Sequence, residues 1–76
     1  MKRYLVVKHN FTSIFSCNNK VFDYIVNEKE SCYTVEYNGK FKVCFGSYND
    51  KERAKARRNT LKNKGIKTVI TEKGGL

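Results

Sequence analysis
The side chains able to do chemistry in this chain are few, apart from its cations. His9 is the only histidine, and three cysteines stand at 17, 32 and 44. A nucleophilic system built on Ser or Cys needs a histidine positioned as base, and one isolated histidine supplies no such constellation. The seven acids, Asp23, Glu28, Glu30, Glu36, Asp50, Glu52 and Glu72, show no paired pattern in an apolar setting. Gly39 and Gly46 are isolated turn residues, so no glycine loop cradles a phosphate. No two cysteines have CxxC spacing, and a zinc site needs about four ligands. The sequence therefore predicts no enzyme, no metal and no cofactor.

The cations remain. Lys and Arg number 16 against 7 acids, a net charge of +9 over 76 residues. Such an excess says nothing about fold but raises affinity for anionic partners. It is also uneven. Residues 1–30 hold five bases and three acids, whereas residues 50–67 hold eight bases and two acids. An odd count of cysteines without motif spacing reads as reduced thiols in a cytoplasmic protein. The apolar run Leu5-Val6-Val7 is too short for a signal peptide or a membrane span.

The elements that must position these cations can be read from periodicity. Residues 3–8, rich in aromatic and β-branched types, predict a strand. Residues 9–20 read as loop. In residues 21–28, Val21 and Ile25, like Phe22 and Val26, are four apart, which suits a helix, while the β-branched content suits a strand; periodicity does not decide between them. Residues 32–45 alternate on either side of Asn38-Gly39 and predict a hairpin. A three-residue loop Tyr37-Asn38-Gly39 sets Glu36 opposite Lys40 and Cys32 opposite Cys44, and separates two faces. On that register Tyr33, Val35, Phe41 and Val43 face the core, and Thr34, Lys40 and Lys42 are open. Facing thiols at Cys32 and Cys44 then read as two small half-buried side chains, with a redox pair as the alternative.

Asn49 or Asp50 can cap a helix over 50–64, with Gly65 as its stop. Ala54 and Leu61, seven apart, mark its narrow apolar stripe, and Lys51, Lys55, Arg58 and Lys62 share one basic face. Residues 66–71 predict a last strand and 72–76 a flexible tail. The expected fold is one α+β domain over 1–76. Its small, mostly antiparallel sheet carries the helix on one face, and it becomes a β-α-β-β-α-β, ferredoxin-like arrangement if residues 18–28 are helical. Thr34, Lys40, Lys42, Lys51, Lys55, Arg58 and Lys62 are the predicted nucleic-acid-binding residues. The hairpin is shaped for a major groove and the helical bases for phosphates.

Residues 33–65 resemble the AP2-like DNA-binding domain of phage integrases and homing endonucleases. Gly46, Ser47, Tyr48, Glu52, Ala54, Arg58 and Leu61 carry the match. The resemblance implies that Thr34, Lys40 and Lys42, on the sheet face away from the helix, read DNA. Arg57 departs from it, standing where that family is apolar, and the last strand is extra. Residues 41–70 are also similar to one half of a SPOR domain, a β-α-β-β-α-β module that binds peptidoglycan glycan strands in the periplasm. The double-stranded RNA-binding domain is a weaker match at residues 49–55. The leading expectation is thus a DNA-binding accessory or regulatory factor of phage or mobile-element type, with DNA favoured over RNA. The alternatives are an interaction module docking on an acidic protein surface, and SPOR-like glycan binding.

Overall fold
The computed structural model describes residues 2–74. The elements run β1 (Lys2–Phe11), α1 (Ile14–Asn27), β2 (Tyr33–Tyr37), β3 (Lys40–Tyr48), α2 (Lys51–Asn63) and β4 (Val69–Gly74). The strands form one sheet in the order β2-β3-β1-β4, every neighbour antiparallel. This is the β-α-β-β-α-β arrangement expected of an α+β chain, with both helices on one face of the sheet.

The undecided segment is helical. Ser13 caps α1, accepting from Ser16 N at 3.4 Å, so the helix starts inside residues expected to be loop. Cys17 and Tyr24 are buried and Val21 packs beside them, an inward face at helical spacing. Phe15, Phe22, Ile25 and Val26 lie on the solvent side. Apolar residues on both sides of α1 blurred its periodicity.

Glycine and asparagine set the hairpin register. Asn38 and Gly39 both have positive φ, 52° and 76°, the form of a two-residue type I′ turn. Tyr37 therefore pairs with Lys40, Val35 with Lys42, Thr34 with Val43 and Tyr33 with Cys44. The expected three-residue loop is thus corrected by one position. That loop would leave the outer face of the hairpin without large apolar side chains. Instead the face away from the helices has its own buried cluster, Leu5, Val7 and Cys44, with Val35 packed on it. The opposite face joins Val6, Val43 and Phe45 to Cys17, Tyr24, Ala54, Leu61 and Ile66.

Two register shifts re-aim the central strands. One places Val6 opposite Gly46 but Val7 opposite Cys44, leaving Phe45 as the extra residue of β3. The other lies between Lys8 and Phe11, where His9 has φ 71°. It turns His9 toward α1, where its Nε2 meets the Tyr24 hydroxyl at 2.9 Å.

Asp50 caps α2 by accepting from Glu52 N at 3.0 Å. Ala54 and Leu61 are its buried stripe, as their spacing predicted. The helix ends on two backbone bonds, Gly65 N to Lys62 O at 2.9 Å and Ile66 N to Leu61 O at 2.9 Å. They draw Ile66 into the core, so the last strand starts at Val69 rather than 66. Glu72, Lys73 and Gly74, expected in a flexible tail, extend β4 and pair with Tyr4, Arg3 and Lys2. Gly75 and Leu76 lie outside the described residues.

Candidate functional site
Two surfaces collect chemistry. The first is the sheet face that no helix covers. On it the Arg3 guanidinium donates to Ser47 Oγ at 3.0 Å and to the Ser47 carbonyl at 2.9 Å. Arg3, Leu5, Tyr33, Val35, Ser47 and Lys73 line a shallow concavity of about 330 Å³ there. Tyr33 is 47% exposed and stands opposite Cys44 in the strand register. Partial burial, together with the neighbouring Cys44 thiol, pushes the pKa of its hydroxyl up to about 12. A half-exposed aromatic ring thus borders this concavity. Lys73 pairs directly with Arg3 across the strands. Two like charges side by side favour an anionic group between them. Lys42, farther along, donates to Asn10 Oδ1 at 3.0 Å.

The second surface lies on the helix side, where α2 meets the edge strand β4. A groove of about 570 Å³ is lined by Lys8, Arg58, Lys62, Lys67 and Thr68, among others. A neighbouring depression of about 480 Å³ shares Arg58, Thr68 and Val69 and adds Lys51 and Lys55.

The predicted binding residues therefore fall into three places. Lys40 and Lys42 belong to the uncovered side of the hairpin. Lys51, Lys55, Arg58 and Lys62 border the α2–β4 groove on the other side of the sheet. Thr34 is corrected: it sits under α1, donating to Asn18 Oδ1 at 2.6 Å, because the two-residue turn reverses the facing of β2. The same reversal separates Cys32 from Cys44. Cys32 packs toward the helices, 3.6 Å from the Val21 carbonyl, while Cys44 belongs to the uncovered side. All three cysteines are free thiols.

Sequence reasoning missed Arg3, Ser47, Tyr33 and Lys73. Tyr33 was assigned to the core through the register. Arg3 and Lys73 reach the same site only because β1 and β4 pair, and no local signal announces that pairing. Glu30 and Arg57 were missed as partners. Glu30 is buried, accepting from Arg57 at 2.9 Å and from the Lys64 ammonium. The Lys64 hydrogen bond, aided by Arg57, holds its carboxyl below the usual range against the opposing effect of burial. Arg57 also donates to the Phe45 carbonyl at 3.3 Å, tying α2 to the sheet. Among the described residues no cluster of His, Cys, Asp or Glu is arranged to hold a metal ion, and no helix is long and apolar enough to cross a membrane.

The SPOR domain family model matches residues 19–76. The chain belongs to the SPOR domain family. Its fold is also that of the peptidoglycan-binding domain of the B. subtilis cell wall lytic enzyme CwlC, known from a solution structure. The two share 16% identity at a TM-score of 0.74, over 97% of this chain and 92% of that one. No curated protein matches the sequence.

Membership overturns the AP2-like reading of residues 33–65, and with it the expected nucleic-acid partner and the phage or mobile-element setting. The hairpin and α2 that carried that resemblance are not a self-standing unit. They pack with α1, β1 and β4 into a SPOR domain, and β1 occupies a central place in the sheet. SPOR domains are binding rather than catalytic modules.

Proposed function
We propose that this domain binds the glycan strands of peptidoglycan through the sheet face that the helices leave uncovered. The observation that carries this reading is the family match over residues 19–76. The structural neighbour from CwlC, described as a peptidoglycan-binding domain, supports it.

The chemistry of the uncovered face suits such a ligand. A pyranose ring has an apolar C–H face that packs on an aromatic ring, and Tyr33 offers one beside the apolar floor of Leu5 and Val35. Around it stand Arg3, Ser47 and Lys73, a few polar groups converging on an apolar depression. The Arg3–Lys73 pair suits the lactyl carboxylates of muramic acid. Arg3 is already oriented by Ser47, so little ordering cost falls on binding.

Sedimentation with purified peptidoglycan sacculi tests the reading. The full chain is expected in the pellet. Tyr33→Ala and Arg3→Gln are each expected to weaken binding roughly tenfold, the scale of one lost stacking or charged contact. A chain that stays in the supernatant, or variants that sediment like the parent, would sink it.

A further inference from the structure
The α2–β4 groove is not used by the glycan reading. It lies on the helix side of the sheet, away from Tyr33 and Arg3. Its composition is one-sided. Lys8, Arg58, Lys62 and Lys67 line its larger part, and among the described residues no carboxylate does. Lys8 bends across to donate its ammonium to the Lys67 carbonyl at 2.9 Å, so two cation-bearing residues from β1 and the β4 approach are tied together. Lys51 and Lys55 continue the row along α2 past Arg58. Glu72 stands at that far end, where Lys2 engages it at 3.3 Å.

One unpaired polar group borders the groove. Thr68 Oγ1 is buried and has no hydrogen-bond partner. Thr68, with Arg58 and Val69, lines both depressions. Buried hydroxyls in native proteins are almost always satisfied, and an unpaired one costs about 1–3 kcal/mol. The hydroxyl is closed off from solvent as it stands, so a rotation of the Thr68 side chain would be needed for it to donate to an anion's oxygen in the groove.

We infer that the α2–β4 groove is a binding site for a chain of phosphate groups. Arg58 supplies a planar fork for two phosphate oxygens, and the lysines supply point charges. One carboxylate would leave most of this charge unneutralised, whereas successive phosphates match a row of cations. The rings that line the groove are engaged within the protein: His9 stacks on Phe11 and meets the Tyr24 hydroxyl, and Tyr4, at the far end, packs against the core. A polymer of phosphates without stacking bases is therefore the ligand class. The inference stands apart from the glycan reading and survives its failure.

Titration of the full chain with inorganic phosphate and with linear polyphosphate, followed by amide and arginine side-chain NMR, tests it at fixed ionic strength. The expected shifts lie at Arg58 Nε–H, Asn59 and Thr68. Polyphosphate is expected to bind at least tenfold more tightly than monophosphate, which separates a polymer site from a single-anion site. Lys62→Gln and Arg58→Gln should each lower the salt slope of polyphosphate binding by about one unit. Lys62 is exposed, so its variant keeps the fold if the Arg58 variant does not. Arg3→Gln should leave the titration unchanged. Shifts centred on Arg3 and Tyr33, equal affinity for the two phosphates, slopes unmoved by Lys62→Gln, or no shifts at all would overturn the assignment.

Discussion

Arg57 and Glu30 form a buried ion pair at 2.9 Å, joining α2 to the segment that leads into β2. Glu30 is only 3% exposed, and Lys64 binds its second oxygen. Replacing one partner of such a pair leaves the other charge uncompensated at a cost of about 3–5 kcal/mol. Because Lys64 is half in solvent, the lower end applies. Glu30→Gln is expected to cost about 3 kcal/mol, roughly a 12–24 °C fall in Tm for a domain of this size. Thermal unfolding by circular dichroism measures it; a fall below about 3 °C would show that the pair contributes little.

The same carboxylate makes the domain acid-sensitive. Its partners depress the folded-state pKa of Glu30 below the ordinary 4.5. Below about that pH the unfolded chain takes up the proton more readily than the folded one. The contribution of Glu30 is therefore complete above 4.5 and is lost as pH falls through the lower folded value. Denaturant midpoints between pH 7 and pH 3 should fall steeply for the parent and less for Glu30→Gln. Parallel curves for the two proteins would contradict the depressed pKa.

Much of this architecture was legible, and what was not has specific causes. The α2 stripe of Ala54 and Leu61, its stop at Gly65 and its basic face follow from local spacing, and all sit where that spacing put them. The hairpin was legible but not its register. The Asn38-Gly39 turn sets it, but the apolar side chains that make room for Val35 and Cys44 on the uncovered side, Leu5 and Val7, are remote in sequence. The role of Arg57 was visible only as an anomaly, a cation where an apolar residue was expected. Its partner Glu30 is 27 residues away. The site around Tyr33 is assembled from four strands, so nothing local could disclose it.

Thiol reactivity follows from the corrected register. Cys32 and Cys44 point to opposite sides of the hairpin, which a disulfide cannot bridge without backbone movement. Cys17 and Cys44 have no exposed surface. Cys32 is partly exposed, and burial raises its pKa, so its thiolate is scarce near neutrality. Titration of the native protein with a thiol reagent should label one cysteine slowly, and three after denaturation. Mild oxidation should give no intramolecular disulfide; recovery of a Cys32–Cys44 peptide on digestion would refute the facing.

The turn and the bulge offer a matched pair of glycine tests with different physical origins. Gly39 has open space around the position of an added Cβ, so Gly39→Ala meets only the backbone cost of a positive φ of 76°. That cost is about 1–2 kcal/mol. Gly46 is the opposite case. A Cβ there would lie 2.5 Å from the Tyr48 hydroxyl oxygen and 2.7–2.8 Å from its ring, which folds back over it with Arg53 5.2 Å from its centroid. Gly46→Ala must displace that ring, at about 1–3 kcal/mol for overpacking. The two are separated by a double-mutant cycle with Tyr48→Ala, read from urea midpoints. Removing the ring should relieve most of the Gly46→Ala cost and none of the Gly39→Ala cost. Additivity at Gly46 would mean that Tyr48 is not what the glycine accommodates.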